Sequence, residues 1–178
     1  MSMKALVSRR AALAATAGLS LAVQLDPAAA GSSDPAEQLV KLAAMKNAAF
    51  MRGDMESWAA LTRIAFDFTL MQPFGGAASR GFDKSPARLA ELARYFRNGV
   101  TKLEDVHTYG TEGTIVLVMI ERQTAEVGGL PNQDWSLRVT EVYREDAEGW
   151  ELVHRHADPL VHRMTIDQAA ALAQGTQK

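Results

Sequence analysis

The chain has 178 residues, 47% of them hydrophobic and 22% charged, with 19 Lys and Arg against 21 Asp and Glu and no cysteine. That is the composition of one ordinary globular domain. A net charge of -2 leaves no basic excess to neutralise a phosphate backbone, so nucleic acid is not an expected partner. Without cysteine, disulfide frameworks, thiolate nucleophiles, cysteine-ligated zinc and iron–sulfur clusters are excluded.

Residues 1–30 read as an export signal. Lys4, Arg9 and Arg10 lie in an N-terminal stretch without acids, Ala11 to Leu25 is uncharged, and Ala28-Ala29-Ala30 before Gly31 offers small side chains for signal peptidase. The uncharged stretch is too short and alanine-rich to span a bilayer, which takes about 20 strongly apolar residues. No stable membrane anchor is therefore expected after cleavage near Ala30, and the mature chain belongs in the periplasm or outside the cell. Ser8-Arg9-Arg10 followed by Leu13 resembles the twin-arginine export motif, with Ala12 where phenylalanine is usual.

Residues 31–178 then form a single domain. Asp34 before Pro35 is a helix start, and Leu39, Leu42, Ala43, Lys46 and Phe50 recur at helical spacing until Gly53. The first helix thus carries a lysine inside its apolar stripe. Asp54 caps a short second helix through Trp58 and Leu61. A β-rich segment over residues 66–71 ends at Pro73 and Gly75-Gly76, and Ser85-Pro86 opens a third helix, with Leu89, Leu92, Ala93 and Phe96 on one face and Gly99 as its stop. From Val100 the period changes to 2, predicting strands over 101–109, 114–127, 135–145 and 150–158 with short, antiparallel connections. In the second of these, Ile115, Leu117 and Met119 share one face and Val116, Val118 and Ile120 the other. One face is to be covered by the helices and the other by a second copy of the chain, giving a homodimer. The tail from about residue 160 carries a short helix around 166–172. Helices first and a curved sheet afterwards make an α+β fold.

Gly53-Asp54-Met55-Glu56-Ser57-Trp58, then residues 68–75 (FTLMQPFG), then Gly81 before a helix, and finally the hairpin from Arg138 to His156 together resemble the nuclear transport factor 2-like superfamily. Within it, the hairpin is similar to SnoaL-like and ketosteroid isomerase-like members and to the kinase II association domain. The resemblance implies a cone-shaped roll: three N-terminal helices packed on a strongly bent, mainly antiparallel sheet, a pocket at the wide end, and dimers packed sheet to sheet. It also implies functional positions. Where steroid isomerases carry the proton-moving carboxylate before a proline, this chain has Gln72. Lys46 falls at their tyrosine donor, and Glu141 matches their protonated aspartate. Trp58 and Tyr143 match pocket-lining positions.

Glu121 and Glu141 each continue an apolar strand face and are expected to point into the cone. Two readings follow. A carboxylate among apolar walls resists ionisation, and two that approach can share a proton and serve acid–base work. Alternatively each pairs with Arg122, Arg138 or Arg155 and fixes strand register. Lys46 either snorkels to water or sits at the pocket floor, where it would pair with Glu141, hold a substrate carboxylate or, if desolvated, act as a base or form a Schiff base. His154, His156 and Asp158 alternate on one strand face; they serve in structural hydrogen bonds or, as His156, in pocket contact, and no metal or other cofactor is expected. The last strand could equally present Arg155 and Ala157 to the pocket. The ligand-contact set is therefore Lys46, Trp58, Gln72, Glu121, Glu141, Tyr143 and His156, with Glu141 and Glu121 the candidates for catalysis. Two functions remain open. One is an exported module binding a small, partly apolar ligand. The other is a cofactor-free isomerase, cyclase or dehydratase acting on a polyketide-like or steroid-like molecule.

The export reading predicts that mass spectrometry of the secreted fraction finds a mature protein beginning at Gly31. Recovery of full-length protein from the cytoplasm alone would exclude it, and export that survives Arg9→Lys with Arg10→Lys would remove the twin-arginine route.

Overall fold

A computed structural model describes residues 34–174, so the export signal and the end of the tail lie outside the described residues. The Asp34 carboxylate accepts the Ala36 N–H (3.0 Å), and helix α1 (Pro35–Arg52) runs from that cap to Gly53. Gly53 has φ +81°, a left-handed stop that glycine adopts without steric cost. An added Cβ there would also lie 2.6 Å from the Phe96 carbonyl, so the turn is pressed against the sheet. Asp54 caps α2 (Met55–Leu61) by accepting the Ser57 N–H. Strands β1 (Ile64–Met71) and β2 (Ser79–Arg80) follow, then α3 (Pro86–Tyr95) behind its Ser85 cap.

Helix α3 stops at Tyr95, short of the expected Gly99. Phe96 is extended (φ -111°, ψ 125°) and already pairs with Val127, while Tyr95 accepts the Gly128 N–H. Sheet pairing outweighs the helical spacing there. Strands β3 (Phe96–Thr111), β4 (Thr114–Val127), β5 (Gln133–Asp134), β6 (Leu137–Asp146) and β7 (Gly149–Pro159) complete the sheet, and α4 (Ile166–Ala173) closes the described chain. The sheet order is β2-β1-β7-β6-β4-β3, with β5 on β4; β1 and β7 are parallel and the other pairs antiparallel.

Bulges bend this sheet. In β3 the register shifts between Arg97 and Val100 and again between Glu104 and His107. Asn98 (φ 54°) and Asp105 (φ 48°) sit inside those two shifts, and short polar side chains tolerate that left-handed conformation better than others. The concave face of β4 is buried without interruption from Ile115 through Leu117, Met119, Glu121, Gln123 and Ala125 to Val127. On the convex face Val116 and Ile120 are half-buried and Val118 is exposed.

Two apolar clusters fill the concave side. One joins Leu39 and Ala43 of α1 to Phe68, Leu117, Met119, Val139 and Leu152, and the other joins Ala49 and Met51 to Trp58, Leu92, Phe96, Ala125 and Val127. Lys46 and Asn47 lie on α1 between these two groups, both buried. Gly99 lets α1 approach β3, since a Cβ there would meet the Met51 carbonyl oxygen at 2.5 Å. Helix α4 has no buried residue, and among the described residues no helix is long and apolar enough to cross a membrane.

Candidate functional site

The polar residues of α1 meet those of the sheet at the inner end of the cone. Glu121 on β4 and Glu141 on β6 follow the inward alternation of their strands, and both are fully buried. Arg155 on β7 is directly opposite Glu141 in the ladder. Its Nη1 donates to Glu141 Oε1 (2.8 Å) and Glu121 Oε1 (2.9 Å), and its Nη2 to Glu121 Oε2 (2.7 Å). Lys46 Nζ reaches across from the helix to Glu141 Oε1 at 2.7 Å, and the Tyr143 hydroxyl donates to Glu141 Oε2 at 2.8 Å. Lys46 also stands over the Tyr143 ring, 5.2 Å from its centre. Two cations and two carboxylates thus form one buried, hydrogen-bonded array.

Its electrostatics follow from that pairing. Burial alone would push the Glu141 carboxyl up, but the charges of Lys46 and Arg155 outweigh it, and Glu141 is held at about 2. Burial is also the largest influence on Lys46 and lowers its ammonium, against the pull of Glu141 and with a smaller push from Arg155. The Tyr143 hydroxyl is raised well above its ordinary value, by burial first and by the adjacent Glu141 charge second. Glu141 is therefore an ionised acceptor. Of the two readings of these carboxylates, the geometry matches pairing with arginine: Arg155 stands between Glu121 and Glu141 and bonds both.

Beyond this array the cone opens into a cavity of about 350 Å³. A second polar set borders it, in which Asn47 Nδ2 donates to Thr101 Oγ1 (2.9 Å) and Gln123 Oε1 (3.0 Å), and Gln123 Nε2 to the Trp135 carbonyl (3.1 Å). The walls are largely apolar, with Phe50, Trp58, Phe68, Leu70 and Phe82 among them. Phe74, Tyr95 and Trp135 stand together at the outer end: the Phe74 ring centre is 6.4 Å from Tyr95, edge to face, and 5.8 Å from Trp135. Phe74 and Tyr95 are exposed. Gly75 and Gly76, both with positive φ, let the chain turn immediately after Phe74.

Of the residues singled out in the sequence, Lys46, Trp58, Gln72, Glu121 and Glu141 all line this cavity. They do so differently, because Gln72 is exposed at the rim whereas Lys46, Glu121 and Glu141 are buried at the inner end. Tyr143 is not a wall residue and acts through Glu141. His156 is a correction. It is not among the lining residues, and its ring lies beside Asp158 (3.4 Å) with 39% of its side chain exposed. The cause is a bulge: Val142 pairs with His154 but Tyr143 with Leu152, so Val153 is an extra residue that reverses the alternation of β7. Leu152 and Arg155 then face inward, while His154 faces away and contacts Thr69 Oγ1 at 2.7 Å. Arg122 and Arg138 pair elsewhere, with Glu104 and Asp158. Among the described residues no cluster of His, Asp and Glu could hold a metal ion. Sequence reasoning missed Asn47 and Gln123, although Gln123 continues the same inward alternation that exposed Glu121.

The chain has the fold of the nuclear transport factor 2-like superfamily. It is similar to a Salmonella enterica protein of that superfamily (TM-score 0.62, 16% identity, 77% of this chain and 99% of that one). It is also similar to a protein of the same family from Streptomyces avermitilis, provisionally called a dehydratase (0.57, 24%, 71% and 96%). A third similar structure is the calcium/calmodulin-dependent kinase II hub of S. rosetta (0.55, 19%, 72% and 99%). No protein-family model and no curated protein matches the chain.

Breaking the array from one side is predicted to leave a buried charge unpaired. Glu141→Gln alone should cost about 3–5 kcal/mol in urea unfolding, and Lys46→Met combined with Glu141→Gln should recover most of that, since Arg155 keeps its bidentate partner Glu121. The pH dependence has a definite sign. A folded-state value near 2 against an ordinary 4.5 means that the stabilisation is complete above 4.5 and is lost as pH falls through about 2. Wild-type stability should fall more steeply over that window than that of the double variant; equal slopes would mean that Glu141 is not held ionised by its partners.

Proposed function

We propose that this protein is an exported binding protein that holds one small, partly apolar molecule in the cone and works as a homodimer packed through the sheet. The observation that carries the reading is the cavity itself, about 350 Å³ with aromatic and aliphatic walls, a charged and hydrogen-bonded inner end and an aromatic mouth. Ligand sites characteristically have this composition, an apolar body with a few fixed polar groups, at about this size.

Binding is favoured over proton transfer by the state of the carboxylates. A general base or acid works best with a pKa near the operating pH, and Glu141 is held near 2 with both oxygens occupied. Both Glu121 oxygens are on Arg155. Gln72, at the position where steroid isomerases carry the proton-moving carboxylate, has an amide of no useful basicity. The isomerase, cyclase or dehydratase reading would need one of these groups released from its partners. Export rests on the signal in residues 1–30. Self-association is supported by the convex face of β4, where Val118 is exposed between half-buried Val116 and Ile120, and by the kinase hub and association domains among the similar structures.

Nile red, a neutral apolar dye, should bind saturably and quench emission from Trp58 and Trp135, and mass spectrometry should find a small molecule co-purifying with the protein. Leu70→Trp, which fills the cavity, should weaken dye binding roughly tenfold or more, equivalent to about 1.4 kcal/mol. No saturable dye binding to the folded protein would end the pocket reading. For the dimer, light scattering at micromolar concentration should give about twice the chain mass, falling towards one chain mass in Val118→Glu; a wild-type monomer would show that the sheet face is not an interface.

A further inference from the structure

Of the chain's 4 histidines, His107, His154 and His156 share one surface. Directly opposed residues in a sheet put their side chains on the same side, so the strand registers define rows across the convex face. One row runs His107, Val118, Thr140, His156 and Met71 over β3, β4, β6, β7 and β1. The next runs Tyr109, Val116, Val142, His154 and Thr69 over the same strands, and Arg80 on the edge strand β2 ends it. Over those five strands neither row contains Asp, Glu, Lys or Arg.

Fixed charges flank these rows instead, and they are paired among themselves. On one side Glu104 bonds Lys102 (2.7 Å) and Arg122 (3.0 Å), and Arg138 lies 3.6 Å from Asp158. On the other, Arg144 bonds Glu151 (2.6 Å) and Asp67 (3.0 Å). A charge-free centre within a self-paired rim suits an identical face turned against it, because the second copy brings no unpaired like charge to that centre. Only histidine can carry charge into it. Among the described residues His107 and His154 have no carboxylate within ion-pair distance, and His154 contacts the Thr69 hydroxyl (2.7 Å). His156 lies 3.4 Å from Asp158, which Arg138 also contacts. The His154 and His156 ring centres are 6.4 Å apart.

We infer that the sheet-to-sheet dimer holds while these histidines are neutral, and that acidification through the histidine range separates the two copies. Imidazole ordinarily titrates at about 6.5. In a separate chain the imidazolium is hydrated; in the dimer it would lose that water inside an apolar centre and face the same groups of the second copy. The dimer therefore favours the neutral ring, so its full strength is present above the ordinary histidine value and is lost as pH falls below it. Arg80 at the row end and Arg144 in the flanking row act in the same direction on His154. Glu104, the acid nearest His107 along β3, is already held by Lys102 and Arg122. Asp158 alone opposes, on His156, and it is shared with Arg138.

This inference rests on the dimer reading of the sheet, and the experiment separates the two. Light scattering over a concentration series gives the dissociation constant at about pH 8 and about pH 5, on either side of the histidine range. Displacing one histidine by one unit changes such a constant about tenfold, so the three together should weaken the dimer at least roughly a hundredfold at the lower pH. Circular dichroism should be unchanged there, because Glu141 stays ionised down to about 2. His107→Gln, His154→Gln and His156→Gln together should give a dimer of equal strength at both pH values. Should that triple variant fail to fold or pair, NMR titration of the histidines carries the test: their midpoints should be lower in the wild-type dimer than in Val118→Glu, and equal midpoints would overturn the switch. A monomer at both pH values would overturn the dimer and the switch together. An equally tight dimer at both would overturn the switch alone, and a pH dependence that persists in the triple variant would overturn the role of the histidines.

Discussion

A lysine from the first helix and an arginine from the last strand share one carboxylate oxygen in the interior of this protein, and that contact ties the helix layer to three strands of the sheet. Glu141 sits on the central strand β6. Through Lys46 it ties α1 to the sheet, and through Arg155 it ties β6 to β7 and, by way of Glu121, to β4. Apolar packing would hold α1 on the sheet in several closely related positions, but an ammonium 2.7 Å from a carboxylate allows far fewer. A buried array of this kind contributes little net stability compared with a well-packed apolar replacement. What it fixes here is the placement of one helix, and hence the gap between helices and sheet in which the cavity lies.

The same array decides the chemistry available in that gap. Steroid isomerases, which the sequence resembles in the order of its motifs, need a carboxylate able to gain and lose a proton. Here the inner carboxylates are saturated, and the position that would carry the mobile one is Gln72, out at the rim. Fold constrains where a site lies and leaves its chemistry to individual side chains.

Much of this was legible in the sequence where periodicity reaches. Alternation along β4 and β6 places Glu121 and Glu141 inside, whereas the helical stripe of α1 left Lys46 open between water and the pocket floor, and the structure buries it. The concave and convex faces of β4 follow the same rule, residue by residue. Legibility ends where a local irregularity resets the count. Val153 adds one residue to β7, and with it Arg155 turns inward while His154 and His156 turn out; a bulge of this kind leaves no mark in a sequence of apolar and polar residues that alternate equally well in either phase. The aromatic mouth was hidden for another reason. Phe74, Tyr95 and Trp135 come from a loop, a helix end and the link between β5 and β6, and only the tertiary fold brings them together. The early end of α3 belongs with these, since Phe96 has helical spacing but is claimed by Val127 across the sheet.

The parallel pairing of β1 with β7 joins an early strand of the domain to its last one, and Thr69 and His154, which touch across it, are 85 positions apart. Lys46 and Glu141 are separated by 95. Topologies dominated by such distant partners assemble slowly, because loop closure is paid in entropy before the contacts reward it. During synthesis Lys46 can meet Glu141 and Arg155 only once β6 and β7 have emerged. The hairpin β6–β7, whose partners are close in sequence, can form beforehand and present Glu141 beside Arg155. The polar array is thereby completed only when the C-terminal half is present, whereas the other end of α1 packs on α2 and β3 through Ala49, Met51, Trp58 and Phe96, partners that lie much nearer in the chain.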